Sequence, residues 1–140
     1  MKNYVIDANI IFSALISGKE VYFKLFSLHH FYLPDYALQE LEKYRQVILK
    51  KHKTDNATFK SKLLDLFSLL TVVPDLIISV GNFERALALC ADIDEKDTPY
   101  IALSMELDMT LVTRDIKLHD GLLAKGFENV ILFDKLFADL

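Results

Sequence analysis

The sequence predicts an α/β sandwich around a mainly parallel sheet. Short apolar runs rich in β-branched residues alternate along the 140 residues with longer segments of helical spacing. Such alternation is typical of parallel sheets, because each connection between parallel strands carries a helix across the sheet. Neither an internal repeat nor a linker interrupts the pattern, so we expect a single domain over residues 1–140.

The individual elements follow from local spacing and from chain-breaking residues. The first half predicts a strand over 2–6, helices over 9–16 and 20–28, a strand over 31–33 stopped by Pro34, and one helix from Asp35 to about Ile48. The second half predicts helices over 55–69, 82–91, 98–107 and 118–124, strands over 71–73, 109–113 and 130–132, and a terminal helix. Gly18 is expected to end the first helix.

The composition is that of a globular protein, with 52% hydrophobic and 26% charged residues. The single cysteine, Cys90, excludes an internal disulfide framework and favours a reducing cytoplasm. Its apolar neighbours predict a core side chain rather than a nucleophile. Asp7 interrupts the first apolar run before a signal peptide could form, and no stretch approaches the roughly 20 apolar residues of a membrane span, so we expect a soluble protein.

The net charge of −4 counts against a protein that binds nucleic acid by charge alone. Residues 43–62 nevertheless carry a local excess of six positive charges. Its members are Lys43, Arg45, Lys50, Lys51, Lys53, Lys60 and Lys62, opposed only by Asp55. Taken alone, this basic segment is best interpreted as a solvated helix face. Beside an acidic catalytic centre it would instead steer phosphates.

Two predicted strands end in aspartate, at Asp7 and at Asp115. Ligands of open α/β sheets bind at the carboxyl ends of the strands, so these carboxylates would converge if the two strands were neighbours. For either aspartate alone, a helix N-cap is the favoured alternative. The nearby polar residues Asn9 and Thr113, which can orient a ligand, shift the balance toward a site.

Glu40 lies inside the apolar stripe of its helix. At about 100° per residue it falls between Tyr44 and Val47, whereas Glu42 falls on the polar side. A glutamate directed at the core is costly unless it is paired or binds a cation. Metal ligation and the alternative, a buried salt bridge or a partly solvated edge of the apolar stripe, explain Glu40 equally well.

Asp97 closes an acidic run that precedes a helix with Pro99 in its first turn. Favourable charge at a helix N-terminus explains one or two of these acids. It explains the four together less well, because like charges repel. The run contains Asp92, Asp94, Glu95 and Asp97.

Four acids spread along the chain, each near a strand or helix end, are typical of a Mg²⁺ or Mn²⁺ site. Zinc is disfavoured, because the four histidines lack ligand spacing. The sequence has neither a P-loop nor a nucleophile elbow. Carboxylates repel a phosphodiester unless divalent ions invert the sign of the site, and basic residues are then expected at the rim. Candidates are Lys96, Arg114 and Lys117.

Four segments, in order, resemble the motifs of PIN domains. Residues 4–11 resemble their opening strand, 38–41 their second acidic motif, 97–104 the third and 111–115 the fourth. Only residues 46–81, approximately, lack a recognisable motif.

The resemblance implies a three-layer α/β/α sandwich that cleaves RNA with Mg²⁺ or Mn²⁺. It implies Asp7, Glu40, Asp97 and Asp115 as metal ligands, Asn9 and Thr113 as their supports, and Asp94 as an optional fifth acid. Many short single-domain PIN proteins are VapC-type toxins. An antitoxin holds these toxins inactive by inserting into the site, and the toxins often form homodimers. Such a partner and a homodimer are therefore expected.

The resulting hypothesis is a metal-dependent endoribonuclease in which water attacks phosphorus in line and leaves 5′-phosphate and 3′-hydroxyl ends. The alternative is a catalytically silent PIN-fold module that binds nucleic acid or another protein. A small-molecule phosphatase is disfavoured, because Ala8-Asn9 follows Asp7 where an Asp-x-Asp motif is needed. The apolar residues Tyr22, Phe23, Leu25 and Phe26 suit a core or a dimer face, and the core is favoured.

Overall fold

The computed structural model describes residues 1–51 and 55–138. In that part of the chain, five parallel strands form one sheet in the order β3-β2-β1-β4-β5. The strands are β1 (Asn3–Ile6), β2 (His30–Pro34), β3 (Leu70–Val73), β4 (Thr110–Thr113) and β5 (Val130–Leu132). The α/β/α sandwich with a parallel sheet is confirmed.

Nine α-helices accompany the sheet within the same residues. They are α1 (Ala8–Ser17), α2 (Glu20–Leu28), α3 (Tyr36–Lys43), α4 (Arg45–Lys51), α5 (Asn56–Ser68), α6 (Val80–Cys90), α7 (Thr98–Leu107), α8 (Ile116–Ala124) and α9 (Phe133–Ala138). Two 3₁₀ turns, Asp75–Ile77 and Glu95–Asp97, precede α6 and α7. Gly18 ends α1 as expected, in a left-handed conformation (φ 61°) that favours glycine.

Helices cover both faces of the sheet, so side chains on both faces are buried. This explains why the strands have continuous apolar runs. Val5 and Ile6 of the central strand β1 are fully buried. The register pairs Ile6 with Val112 of β4. The next residues, Asp7 and Thr113, therefore lie side by side where the two strands end.

The prediction of one helix from Asp35 to Ile48 is wrong. The chain leaves helical geometry at Tyr44 (φ −102°, ψ 13°), and α4 begins at the next residue. The Tyr44 ring contacts Phe12 of α1 edge-on, with ring centroids 5.5 Å apart. Lys43 of the basic segment stays on α3 with Glu40, whereas the break places the other described members on α4 and α5. Lys53 lies outside the described residues.

Three of the four apolar residues of α2 that the sequence assigned to the core are buried, and Phe23 is partly buried and packs against it. Tyr22, Leu25 and Phe26 are buried, and the ring of Tyr22 stacks on Phe133 of α9. Cys90 is also fully buried, as expected of a core side chain. None of the helices in the described part of the chain combines the length and apolar character that crossing a membrane requires.

Candidate active site

Asp7 lies at the carboxyl end of β1, and only 5% of it is exposed. The hydroxyl of Thr113, at the end of β4, donates a hydrogen bond of 2.8 Å to Oδ2 of Asp7. Oδ1 of Asp7 is buried and has no hydrogen-bond partner. Asp7 precedes α1, but its side chain makes no capping hydrogen bond there. The N-cap alternative therefore does not account for Asp7.

Asp115 follows β4 and does act as a helix cap. Its Oδ1 accepts a hydrogen bond of 3.1 Å from the backbone N–H of Leu118 in α8. Its own backbone N–H donates 3.0 Å to the hydroxyl of Thr113. Thr113 therefore links the two aspartates that end neighbouring strands. No described contact engages the second carboxylate oxygen of Asp115.

Glu40 reaches the same end of the sheet from α3. The hydroxyl of Tyr100, in the first turn of α7, donates a short hydrogen bond to Oε1 of Glu40. Tyr100 is buried, with 2% exposed, and its hydroxyl therefore holds Glu40 from inside the protein. The alternative of a buried salt bridge at Glu40 is not what the described residues form, since the partner is a neutral hydroxyl.

Asp97 ends the second 3₁₀ turn and precedes α7. Its Oδ2 is buried and, like Oδ1 of Asp7, has no hydrogen-bond partner. Asp94 is more exposed, and its side chain accepts a hydrogen bond of 3.0 Å from the backbone N–H of Lys96. Asp94 therefore caps the turn that presents Asp97.

The pKa values of Asp7 and Asp97 show that the acids act on one another. Burial, more than any other cause, raises the pKa of Asp97 to about 7, and the negative charges of Asp94, Asp7, Asp115 and Glu40 raise it further. Burial also raises the pKa of Asp7 to about 6, against the opposing hydrogen bond from Thr113. All five acids that the sequence singled out thus lie in one electrostatic environment.

None of these five acids has a cationic partner in the described residues, where the ion pairs involve Glu42, Asp92 and Asp120 instead. A mutually repelling set with two buried, unpaired oxygens is suited to a hard cation. The described residues contain no ready-made group of three or more His, Cys, Asp or Glu side chains in position to hold a metal ion. Protein donors hold one oxygen each of Asp7, Glu40 and Asp115.

The family model of the PIN domain matches residues 5–132. The chain belongs to the PIN-domain family. This confirms the resemblance that the four acidic motifs indicated. PIN-domain proteins are generally nucleases. No curated protein matches the sequence.

Solved structures show the same PIN fold at low sequence identity. VapBC2 from Rickettsia felis, bound to a DNA fragment from its promoter, is 22% identical, with a TM-score of 0.60 over 93% of this chain and 96% of that one. PAE2754 from Pyrobaculum aerophilum is 16% identical, with a TM-score of 0.65 over 99% and 96%. A toxin–antitoxin complex from Klebsiella pneumoniae is 18% identical, with a TM-score of 0.58 over 91% and 95%.

The polar and basic residues that the sequence predicted around the acids, Asn9, Lys96, Arg114 and Lys117, are exposed. Asn9, at the start of α1, is exposed, and its carbonyl oxygen accepts a hydrogen bond from the hydroxyl of Ser13. A guanidinium nitrogen of Arg114 donates to the same hydroxyl. Lys96 and Lys117 are exposed close in sequence to Asp97 and Asp115.

Sequence reasoning missed Tyr100, the hydrogen-bond donor to Glu40, and its ring contact with Tyr36. Tyr36 and Tyr100 meet edge-on with ring centroids 6.2 Å apart, and Tyr36 lies one helical turn before Glu40. Burial and the carboxylate of Glu40 raise the pKa of Tyr100, so its hydroxyl stays protonated and remains a donor. The sequence did offer one signal: the fourth position of the third motif is a tyrosine. A purely apolar residue would have been enough at a position that only packs in the core.

Proposed function

We propose that this PIN-domain protein is a metal-dependent endoribonuclease. The observation that carries the proposal is a set of acids that raise one another's proton affinity, lack any cationic partner in the described residues and include two buried, unpaired oxygens. Structural carboxylates are normally paired or hydrogen-bonded when buried. A divalent cation would supply the missing partner.

Asp7, Glu40, Asp97 and Asp115 would hold Mg²⁺ or Mn²⁺, with Asp94 as an optional fifth acid. Their donor set, carboxylate oxygens alone, suits these hard cations. Bound at the site, the cation supplies Lewis acidity, which lowers the pKa of water and offsets the charge of a phosphodiester.

The remaining chemistry belongs to side chains of the chain. Thr113 orients Asp7, and Arg114 lies at the rim, where it can bind an RNA phosphate. Hydrolysis joins the oxygen of water to phosphorus and breaks the bond to the 3′ oxygen, leaving 5′-phosphate and 3′-hydroxyl ends. One proton of the water ends on the 3′ oxygen, and the other stays with the phosphate or leaves to solvent.

An antitoxin-like protein partner is supported by an apolar groove whose lining does not include the five acids. The groove has a volume of about 470 Å³ and lies among α1, α3, α4 and α5. Leu15, Leu41 and Phe59 contribute to its apolar lining, and Lys60 and the ion pair of Arg45 with Glu42 to its polar edge. These features suit an amphipathic segment with acidic residues. Two of the structural neighbours are toxin–antitoxin proteins, which favours a toxin role for this chain.

A homodimer is supported by an exposed apolar patch, formed by Leu76, Ile77, Val80, Phe83 and Leu87. Leu76 is 95% exposed and Val80 75%, values unusual for large apolar side chains that face only water. The last three residues share one face of α6. A two-fold axis through the patch would bury these side chains against their copies.

We also propose that residues 1–140 form one PIN domain located in the cytoplasm.

The experiment is cleavage of single-stranded RNA by purified protein with Mn²⁺, with Mg²⁺ and with EDTA. We expect metal-dependent cutting that Asp7→Asn and Glu40→Gln abolish. Glu42→Gln is the matched control, because Glu42 lies on the same helix and pairs with Arg45 at the surface. Full activity in Asp7→Asn would remove the acidic quartet from consideration as the site.

The alternative is a catalytically silent PIN module. It would be supported by RNA binding that persists in EDTA without cleavage. It would also gain if neither metal raised the melting temperature, because a ligand that binds only the native state must stabilise it.

A further inference from the structure

The hydrogen bond between Tyr100 and Glu40 joins α7 to α3. Tyr100 lies in α7 and Glu40 in α3, 60 residues apart in the chain. The ring of Tyr100 packs against Tyr36, one helical turn before Glu40 on the same helix. Tyr100 therefore approaches the face of α3 that carries both residues.

The hydrogen bond engages only one oxygen of Glu40. The hydroxyl donates to Oε1, and no described hydrogen bond or ion pair engages Oε2. A glutamate side chain that is free to rotate loses conformational entropy when it becomes fixed. A donor that fixes it beforehand removes most of that cost from cation binding.

We infer that Tyr100 is a positioning residue that holds Oε1 of Glu40 and thereby presents Oε2 to the cation. The inference rests on the proposed function, because it requires that Glu40 bind a metal. Tyr100 itself is not a ligand: its protonated hydroxyl is committed to Glu40. Partners that orient metal ligands in this way typically contribute about 10–100-fold to metal affinity.

The test compares Mn²⁺ dissociation constants of the wild type, Tyr100→Phe and Tyr36→Phe, measured by calorimetry without RNA. Tyr100→Phe keeps the ring and removes only the donor, and we expect roughly 10-fold weaker binding. Tyr36→Phe removes a hydroxyl near Glu40 that makes no described hydrogen bond, and should bind Mn²⁺ as the wild type does. Unfolding in EDTA reports whether either variant loses its fold.

A double-mutant comparison separates positioning from a general loss of structure. If Tyr100 acts through Glu40, then Tyr100→Phe combined with Glu40→Gln should bind Mn²⁺ no more weakly than Glu40→Gln alone. Additive losses would overturn the inference. So would unchanged affinity in Tyr100→Phe when the wild type binds Mn²⁺, and in that case the proposed ribonuclease would still stand. A wild type that does not bind Mn²⁺ would overturn both.

A second measurement covers the case in which Tyr100→Phe does not fold. Fluorotyrosine placed at position 100 reports the hydroxyl environment by ¹⁹F NMR while the donor remains. Addition of Mg²⁺ should shift this resonance in the wild-type background and leave it in place in Glu40→Gln. If the protein binds Mg²⁺ and this resonance does not shift, the inference is also contradicted.

Discussion

The hydroxyl of Thr113, at the end of β4, donates a hydrogen bond of 2.8 Å to Oδ2 of Asp7, at the neighbouring end of β1, and both residues are buried. The same hydroxyl accepts the backbone N–H of Asp115. One small side chain thus determines the position of one candidate ligand and of the backbone that carries another. Because the contact joins residues 106 positions apart, it also ties the first strand to the fourth.

Replacement of Thr113 by valine should destabilise the protein and impair the site together. Valine has nearly the same shape, but it leaves Oδ2 of Asp7 buried without a donor. We expect the free energy of unfolding in urea at neutral pH to fall by about 1–3 kcal/mol. Thr110→Val is the matched control on the same strand, because its hydroxyl bonds Asn129 where the strand is partly exposed. A loss in Thr113→Val no greater than in Thr110→Val would contradict the prediction.

Asp7→Asn should be more stable than the wild type in EDTA at neutral pH, although it is expected to be inactive. Burial raises the pKa of Asp7 from 3.8 to about 6, so the folded state binds a proton that the unfolded chain loses first. The resulting stabilisation is full below pH 3.8 and is lost as the pH rises through about 6. Above that pH the free energy of unfolding of the variant should exceed that of the wild type by as much as about 3 kcal/mol. Urea unfolding at pH 5 and pH 8 measures this, and a gain that is equal at both would contradict it.

The sequence predicted that Asp7 and Asp115 would converge if their two strands were neighbours. The pairing of β1 with β4 meets that condition, because parallel strands bring their carboxyl ends to one edge of the sheet. The break at Tyr44 could not be predicted, because Tyr44 itself suits the apolar spacing of a continuous helix. The chain changes direction at Tyr44, where the Tyr44 ring packs on Phe12 in a tertiary contact.

The hydrogen-bond partners of the acids were also only partly predictable. Thr113 was expected to support Asp7, since it lies two residues before Asp115 at a strand end. Tyr100 was not, because a tyrosine in an apolar helix suits the core equally well, and its role depends on how α3 and α7 pack. The pair Asp35 and Asp75 escaped notice for the same reason: they follow β2 and β3, whose pairing the sequence did not specify.

Asp75→Asn should stabilise the protein above pH 6. Partial burial, followed by the hydrogen bond and the charge of Asp35, raises the pKa of Asp75 from 3.8 to about 6. The shared proton therefore stabilises the fold at low pH and is lost as the pH rises through about 6. Asparagine stays neutral and can donate to Asp35. Because Asp75 is partly exposed, we expect a gain of no more than about 1 kcal/mol at pH 8 and little at pH 4.

Thermal unfolding across this pH range measures the effect of Asp75→Asn. Glu128→Gln is the control, since Glu128 is exposed and its side chain has no described partner. A melting temperature that changes alike in both variants at every pH would mean that Asp35 and Asp75 do not share a proton.

Val80→Asp should convert a dimer into a monomer without loss of the fold. Val80 is 75% exposed at the start of α6, so the fold itself loses little apolar burial when it is replaced. In a two-fold interface the substitution occurs in both copies and would place two new charges in an apolar contact. A stable interface buries roughly 800 Å² per partner. Light scattering at several protein concentrations should show a dimer for the wild type and a monomer for Val80→Asp. Leu64→Asp is the control, because Leu64 is equally exposed, at 73%, but lies on α5 outside the patch. A dimer that survives Val80→Asp, or a wild type that is monomeric at high concentration, would remove the patch as the dimer interface.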